Sequence, residues 1–218
     1  MSMTIYLGNK NYSSWSLRPW LALKHTGAPF EEVVIPLDQP DTHSRILRHS
    51  PSGRVPALLD GDLLLWESIA MCEYLAERFP EARLWPEDRA ARAHARAVSA
   101  EMHAGFATLR STMPMNLRRP RAPVLQTDAV RTDVERIVDI WTECRRSAHG
   151  GEFLFGRFSI ADAMFAPVVT RFHGYAVELP SVAQAYVDSV RAWPAMREWT
   201  DAALREAERV ERYEPHTG

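Results

Sequence analysis

Three hydroxyls fall within four residues at Ser13-Ser14-Trp15-Ser16, between an apolar run at residues 4–7 and a helical pattern over residues 16–26. A helix start offers free backbone N–H groups and the positive end of the helix dipole, so a hydroxyl beside it can donate to a bound anion. One serine suffices for capping. Ser16 is expected to cap, with Pro19 tolerated in the first turn, which leaves Ser13 and Ser14 either idle in the loop or free for a ligand. No G-x-S-x-G occurs, so a nucleophile elbow is not expected. A second candidate is Arg54-Val55-Pro56: proline opening a strand donates no hydrogen bond, and a cis Val55-Pro56 bond would present the Val55 backbone to an extended ligand. A trans edge proline is the plainer alternative. The third is Glu67-Ser68, an acid and a hydroxyl at another helix start, read either as an N-cap or as a ligand-binding pair.

The elements that must position these residues alternate through the first eighty positions. Strands are expected over residues 4–7 and 30–37, followed by a polar, helix-compatible stretch to residue 49. Two short apolar runs at residues 56–59 and 63–66 flank Asp60-Gly61-Asp62, a turn composition that closes a hairpin. Helical spacing of Ile69, Cys72, Leu75 and Phe79 follows, ended by Pro80. The order is βαβαββα, an α/β unit of the kind that binds ligands at the carboxyl ends of its strands. From residue 89 strand-like runs vanish, and helical patterns cover residues 90–111, 127–148, 160–172, 181–192 and 194–209. We therefore expect a first domain at residues 1–83, a linker at 84–89 packed down by Leu84-Trp85, and an all-α domain at 90–218.

Composition narrows the function. A net charge of −2 supplies no general basic field for nucleic acid, and no window reaches the ~20 apolar residues of a membrane span. With no leader-like start, a cytoplasmic location is expected. Cys72 and Cys144 are far apart and outside any C-x-x-C, and the eight histidines lack H-E-x-x-H spacing, so no metal site is expected.

Taken together, Ser13-x-x-Ser16-x-Arg18, Val55-Pro56, Glu67-Ser68 leading E-S-x-A-x-x-x-Y-L, and the stretch Phe153–Asp162 resemble the cytosolic glutathione S-transferase family, serine type, nearest its zeta-like and bacterial classes. The resemblance implies a thioredoxin-like first domain and an all-helical second. The last stretch is physically a capping box, Ser159 with Asp162, and so structural. The resemblance further implies that Glu67 and Ser68 hold the γ-glutamyl end of glutathione, that Val55 pairs with its cysteinyl backbone beside Pro56, and that Arg54, where glutamine is usual, contacts the glycine end.

It also answers the question of the hydroxyls. A thiol with pKa about 8.5 is mostly protonated at neutral pH, and a hydrogen bond to the charged form contributes about 1.5–3 kcal/mol, enough to lower that pKa by roughly one to two units. By alignment Ser13 is the catalytic donor, with Ser14 the second choice among the glutathione-binding residues. Trp15 stands where the zeta class has cysteine, which removes the thiol a disulfide reductase would use. An adaptable lining for the electrophile is expected from Met102, His103, Phe106, Arg110 and Met113, with Met115 beside them, although such spacing equally describes plain core. Glu101 is a candidate for reaching a neighbouring subunit's glutamyl site. The expected activity is conjugation of glutathione to small electrophiles by a homodimer, with glutathione as cosubstrate. Glutathione-dependent cis–trans isomerisation of a maleylacetoacetate-type dienone, or a non-enzymatic binding module, are the alternatives.

Overall fold

Met3, Ile5 and Leu7 alternate inward along β1 (Met3–Leu7), which puts this strand in the interior of the sheet. β2 (Phe30–Val34) pairs parallel on one side of it, and β3 (Ala57–Asp60) antiparallel on the other. β4 (Leu63–Trp66) completes the order β2-β1-β3-β4 through the hairpin, where Gly61 takes a φ of 59° that a side chain would resist. The helices of this half are α1 (Ser14–Thr26), α2 (Thr42–Leu47) and α3 (Ser68–Arg78), so the βαβαββα order stands. These are elements of a computed structural model that describes residues 3–148 and 150–214. Met1 and Ser2, which open the expected first domain, and residues 215–218, which end the second, lie outside the described residues.

The remainder is helical: α4 (Arg89–Ala104), α5 (Ala107–Thr112), α6 (Asp128–Ser147), α7 (Ile160–Gly174), α8 (Ser181–Ala192) and α9 (Pro194–Arg205). None of the described helices is long and apolar enough to cross a membrane. The middle helix, α7, is buried on nearly all sides and packs against α1, α4 and α8. Its start is fixed by Asp162, whose carboxylate accepts from Ser159 N at 2.8 Å, Ser159 Oγ at 3.0 Å and Leu154 N at 3.0 Å. Leu84 and Trp85 are buried between the two halves, and Ile160 N donates to Leu84 O at 2.8 Å. The apolar interior is continuous across this junction, where the Trp20 and Trp199 rings meet edge-to-face at 5.1 Å.

Four expectations are corrected. α1 begins at Ser14 rather than residue 16, because Ser13 is its cap: Ser13 Oγ accepts from Ser16 N at 3.4 Å. Ser16 lies inside the first turn, fully buried. β2 ends at Val34, since Pro36 has no N–H to extend the ladder. The helix expected over residues 90–111 breaks into α4 and α5 at Gly105-Phe106, where Phe106 adopts a φ of 58°. α9 stops at Arg205 instead of residue 209 because Glu206 turns away in an extended conformation.

Candidate active site

The loop from β1 to α1 is held from three directions. Gly8 N donates to the buried Ser16 Oγ at 3.1 Å, which ties the end of β1 to the first turn of α1. The Glu206 carboxylate accepts from two consecutive amides, Lys10 N at 2.6 Å and Asn11 N at 3.0 Å. Asn11 Nδ2 donates to Asn116 Oδ1 at 3.0 Å, and Tyr12 Oη bonds to Glu214 and Arg118. Glu206 is partly withdrawn from solvent, and that burial pushes its carboxyl above the usual range.

This bracing fixes three hydroxyls in distinct states. Ser13 Oγ contacts Ser16 Oγ at 2.7 Å, with Ser13 as the assigned donor. Ser16 bonds to Gly8 and Ser13 together. Ser14 Oγ has no hydrogen-bond partner among the described residues, and neither does the Trp15 amide, the kind of orphan donor a helix N-terminus presents to anions.

Two cavities meet at this point. The smaller, 260 Å³, is lined by Trp15, Arg54, Val55, Pro56, Glu67 and Ser68, with Ser52 and His103 completing the wall. Ser68 Oγ is buried here without a partner, a costly state for a hydroxyl unless a ligand supplies one. The Val55-Pro56 bond is cis, and the Val55 N–H and C=O are both unpaired among the described residues. Glu67 has a φ of 69°, uncommon for a residue with a side chain, and its carboxylate lies 3.7 Å from His103 Nε2. Burial, and next the nearby Arg18 charge, push the His103 pKa down despite that acid.

The larger cavity, 630 Å³, shares Trp15, Arg54 and Val55 with the smaller and adds Ser13, Ser14, Tyr12, Arg110, Arg171, Arg212 and Tyr213. Four of its described lining residues are arginines and none is an acid. Arg171 is 4% exposed; its Nε donates to Met113 O at 2.8 Å while Nη1 has no partner. Burial lowers the Arg171 pKa to about 10, and the neighbouring Arg110 charge adds to this. Trp15 stands between the cavities with Arg18 at 4.1 Å and Arg110 at 5.3 Å from its ring centroid, and His103 edge-on at 5.2 Å.

Seven residues expected in the site, Ser13, Ser14, Arg54, Val55, Pro56, Glu67 and Ser68, therefore surround these two adjoining spaces. Of the expected electrophile lining, Arg110 and Met115 border the larger cavity and His103 the smaller. Met102 and Met113 do not: both are fully buried in the core, Met102 on the inward face of α4 and Met113 just past the end of α5. Phe106 lines neither cavity; it is nearly buried at the α4–α5 break. Glu101 is engaged by Arg136 in a paired contact at 2.7 and 2.8 Å. Sequence reasoning missed Tyr12, Arg171, Arg212 and Tyr213. Only Arg171 carried a local signal, as a guanidinium following the apolar run of residues 163–169. Neither cysteine is poised as a nucleophile: both are buried, and desolvation pushes each thiol up to about 12.

The family model described as glutathione S-transferase, N-terminal domain, matches residues 12–78, and that described as glutathione S-transferase, C-terminal domain, matches residues 118–202. The chain is 28% identical over 168 residues to a probable maleylacetoacetate isomerase of Caenorhabditis elegans, covering 76% of this chain and 77% of the relative. It is 27% identical over 205 residues to glutathione S-transferase Z2 of Arabidopsis thaliana, covering 86% and 88%. Among solved structures, a glutathione transferase homolog from Burkholderia gl BGR1 with bound glutathione shares the fold, with a TM-score of 0.72 at 24% identity over 94% of this chain and 100% of that one. With both halves matched in order around a braced serine loop, this chain belongs to the glutathione S-transferase family.

Proposed function

We propose that the protein is a glutathione transferase whose smaller cavity holds glutathione and whose larger one receives an electrophile carrying a carboxylate. The observation that carries this reading is the set of unpaired polar groups along the two adjoining cavities, which share Trp15 and Val55: Ser68 Oγ, the Val55 N–H and C=O, Ser14 Oγ and the Trp15 amide. Ser68 and Glu67 take the γ-glutamyl carboxylate and ammonium, Val55 pairs with the cysteinyl backbone, and Arg54 takes the glycine carboxylate. The sulfur then falls at the α1 start.

Ser13 is the thiolate donor in this reading. The Ser13–Ser16 contact accommodates the proton in either direction, since both oxygens donate and accept. When a thiolate arrives, the Ser16 O–H turns to Ser13 Oγ, which already accepts from Ser16 N, and the Ser13 proton turns to the sulfur. The resulting chain runs Gly8 N–H to Ser16 O–H to Ser13 O–H to thiolate, each bond polarising the next. Ser14 and the Trp15 amide lie beside it as free donors.

With Arg54 given to glutathione and Arg212 already paired with Asp38 at 3.4 Å, Arg110 and Arg171 favour an anionic electrophile, since guanidinium groups bind carboxylates with paired hydrogen bonds. They also favour a second reaction, isomerisation: the thiolate adds to a conjugated cis double bond of a dicarboxylic dienone, the saturated bond rotates, and the thiolate leaves with glutathione regenerated. Two relatives of this kind of protein, one named for that isomerase and one for transferase activity, fit both readings. A homodimer is proposed as well, with Leu63 and Trp66, 46% and 44% exposed along the edge strand β4, as apolar surface for a second copy, and a cytoplasmic setting.

The test compares glutathione conjugation of a chlorodinitrobenzoate with that of its methyl ester. We expect the acid to be preferred about tenfold, the scale of one charge-assisted hydrogen bond, and Arg110→Gln to abolish the preference. Equal rates for acid and ester would remove the anionic-substrate reading, and no turnover of either would remove the transferase.

A further inference from the structure

A third cavity, 450 Å³, lies on the other side of the segment that follows α5, and the transferase chemistry uses none of it. Pro114 and Met115 of this segment border the electrophile cavity, whereas Asn116, Leu117, Arg119 and Arg121 border the third one. α7 divides in the same way, with Arg171 facing the former and His173 the latter. The third cavity therefore backs onto the active site without opening into the same wall.

Its lining is strongly cationic. Arg119, Arg121, Arg191 and Arg197 converge there with His173, against a single acid, Asp201. None of the four guanidinium groups forms an ion pair with a described residue, and Arg119 Nε is buried without a hydrogen-bond partner. The Arg119 guanidinium carbon lies 3.8 Å from the Tyr175 ring centroid and its Nη2 donates to Ala122 O at 3.5 Å, contacts that restrain the side chain before any ligand arrives. The nearby charges of Arg191 and Arg121, after burial, also disfavour a proton on His173. Four guanidinium groups without a carboxylate partner on one cavity wall make a field that favours an anion.

The remaining wall is apolar: Leu117, Met196 and Leu204, the last 53% exposed. The volume lies within the range of small-molecule sites, too large for a simple inorganic ion to fill. We propose that this cavity is a second ligand site, separate from the glutathione groove, for a small organic phosphate: an oxyanion gripped by Arg119, Arg121 and Arg191, with its apolar body against Leu117 and Met196. Phosphate fits best because several guanidinium forks engage its oxygens at once, which a single carboxylate cannot offer.

Titration calorimetry of the full chain with phenyl phosphate, and with inorganic phosphate alone, tests this. With the electrophile cavity filled by a saturating carboxylate-bearing glutathione conjugate, we expect one saturable site for phenyl phosphate and weaker binding of inorganic phosphate, which lacks the apolar body. Arg121→Gln and Arg191→Gln alter exposed side chains and should each weaken phenyl phosphate about tenfold, as for loss of one charge-assisted hydrogen bond. Arg110→Gln, in the electrophile cavity, should leave it unchanged. Absence of saturable binding overturns the proposal, as does binding that survives Arg121→Gln with Arg191→Gln or is lost in Arg110→Gln. Circular dichroism of each variant confirms that a loss of binding is not a loss of fold.

Discussion

The starts of α3 and α7 use the same two groups, a carboxylate and a serine hydroxyl, to opposite ends. At α7, Ser159 and Asp162 are three apart, and the Asp162 carboxylate accepts from Leu154 N, Ser159 N and Ser159 Oγ, all inside the core. At α3, Glu67 and Ser68 are adjacent; Glu67 makes no cap hydrogen bond, its backbone takes a positive φ, and Ser68 Oγ is left buried and unpaired. Spacing decides the difference. Three residues bring an acid back over its own helix start, whereas adjacent residues cannot close that ring and leave both groups to whatever enters the groove. A helix start whose polar groups are satisfied serves the fold, and one whose groups are not serves a ligand.

The sharpest way to break this comparison is to truncate the satisfied acid. Asp162→Ala strands three buried donors, and we expect a loss of about 3 kcal/mol or more in urea unfolding, with glutathione affinity unchanged in the protein that remains folded. A loss confined to ligand binding would reverse the assignment of the two ends.

A pH series probes the same acid more gently. Burial raises the Asp162 pKa from an ordinary 3.8 to about 6 against the opposing pull of its hydrogen bonds. A raised acid binds its proton more tightly when folded, so its contribution is full below the unfolded value and lost as pH rises through about 6. About two pKa units correspond to roughly 3 kcal/mol at most. Stability should fall across that window in the wild type, and Asp162→Asn should remove this fall whatever its effect on absolute stability. An unchanged slope in Asp162→Asn would show that another group governs it.

The smallest expected effect belongs to the unsatisfied end. Ser68→Ala should weaken glutathione by about tenfold while unfolding stability stays within about 0.5 kcal/mol, since the hydroxyl has no folded-state partner to lose. Equilibrium dialysis and urea unfolding together read both halves of this statement.

Local rules made much of this legible. The hairpin at Gly61, the stop of α3 before Pro80 and the limits of α8 follow from turn chemistry and periodicity, and the cap of α7 from its three-residue spacing. Other features depend on contacts no window contains. α9 ends where the Glu206 carboxylate reaches Lys10 and Asn11, almost the whole chain away. The choice of Ser13 over Ser16 as the α1 cap rests on Gly8 claiming the Ser16 oxygen, which three neighbouring hydroxyls could not reveal. For Met102, periodicity gave the inward face but not whether core or cleft lay beyond it. The wall formed by Arg212 and Tyr213 exists only because the segment after α9 folds back, with Asn116 Nδ2 donating to Tyr213 O at 3.1 Å.

The proposed catalytic step depends on a hydroxyl chain lowering the pKa of a bound thiol. Its most direct test is the pH titration of thiolate ultraviolet absorbance for glutathione bound to the wild type and to Ser13→Ala. The account predicts a bound thiol about one to two units below its free value near 8.5 in the wild type, and a return toward 8.5 in Ser13→Ala. An unshifted pKa in the wild type, or the same depressed pKa in Ser13→Ala, would contradict it.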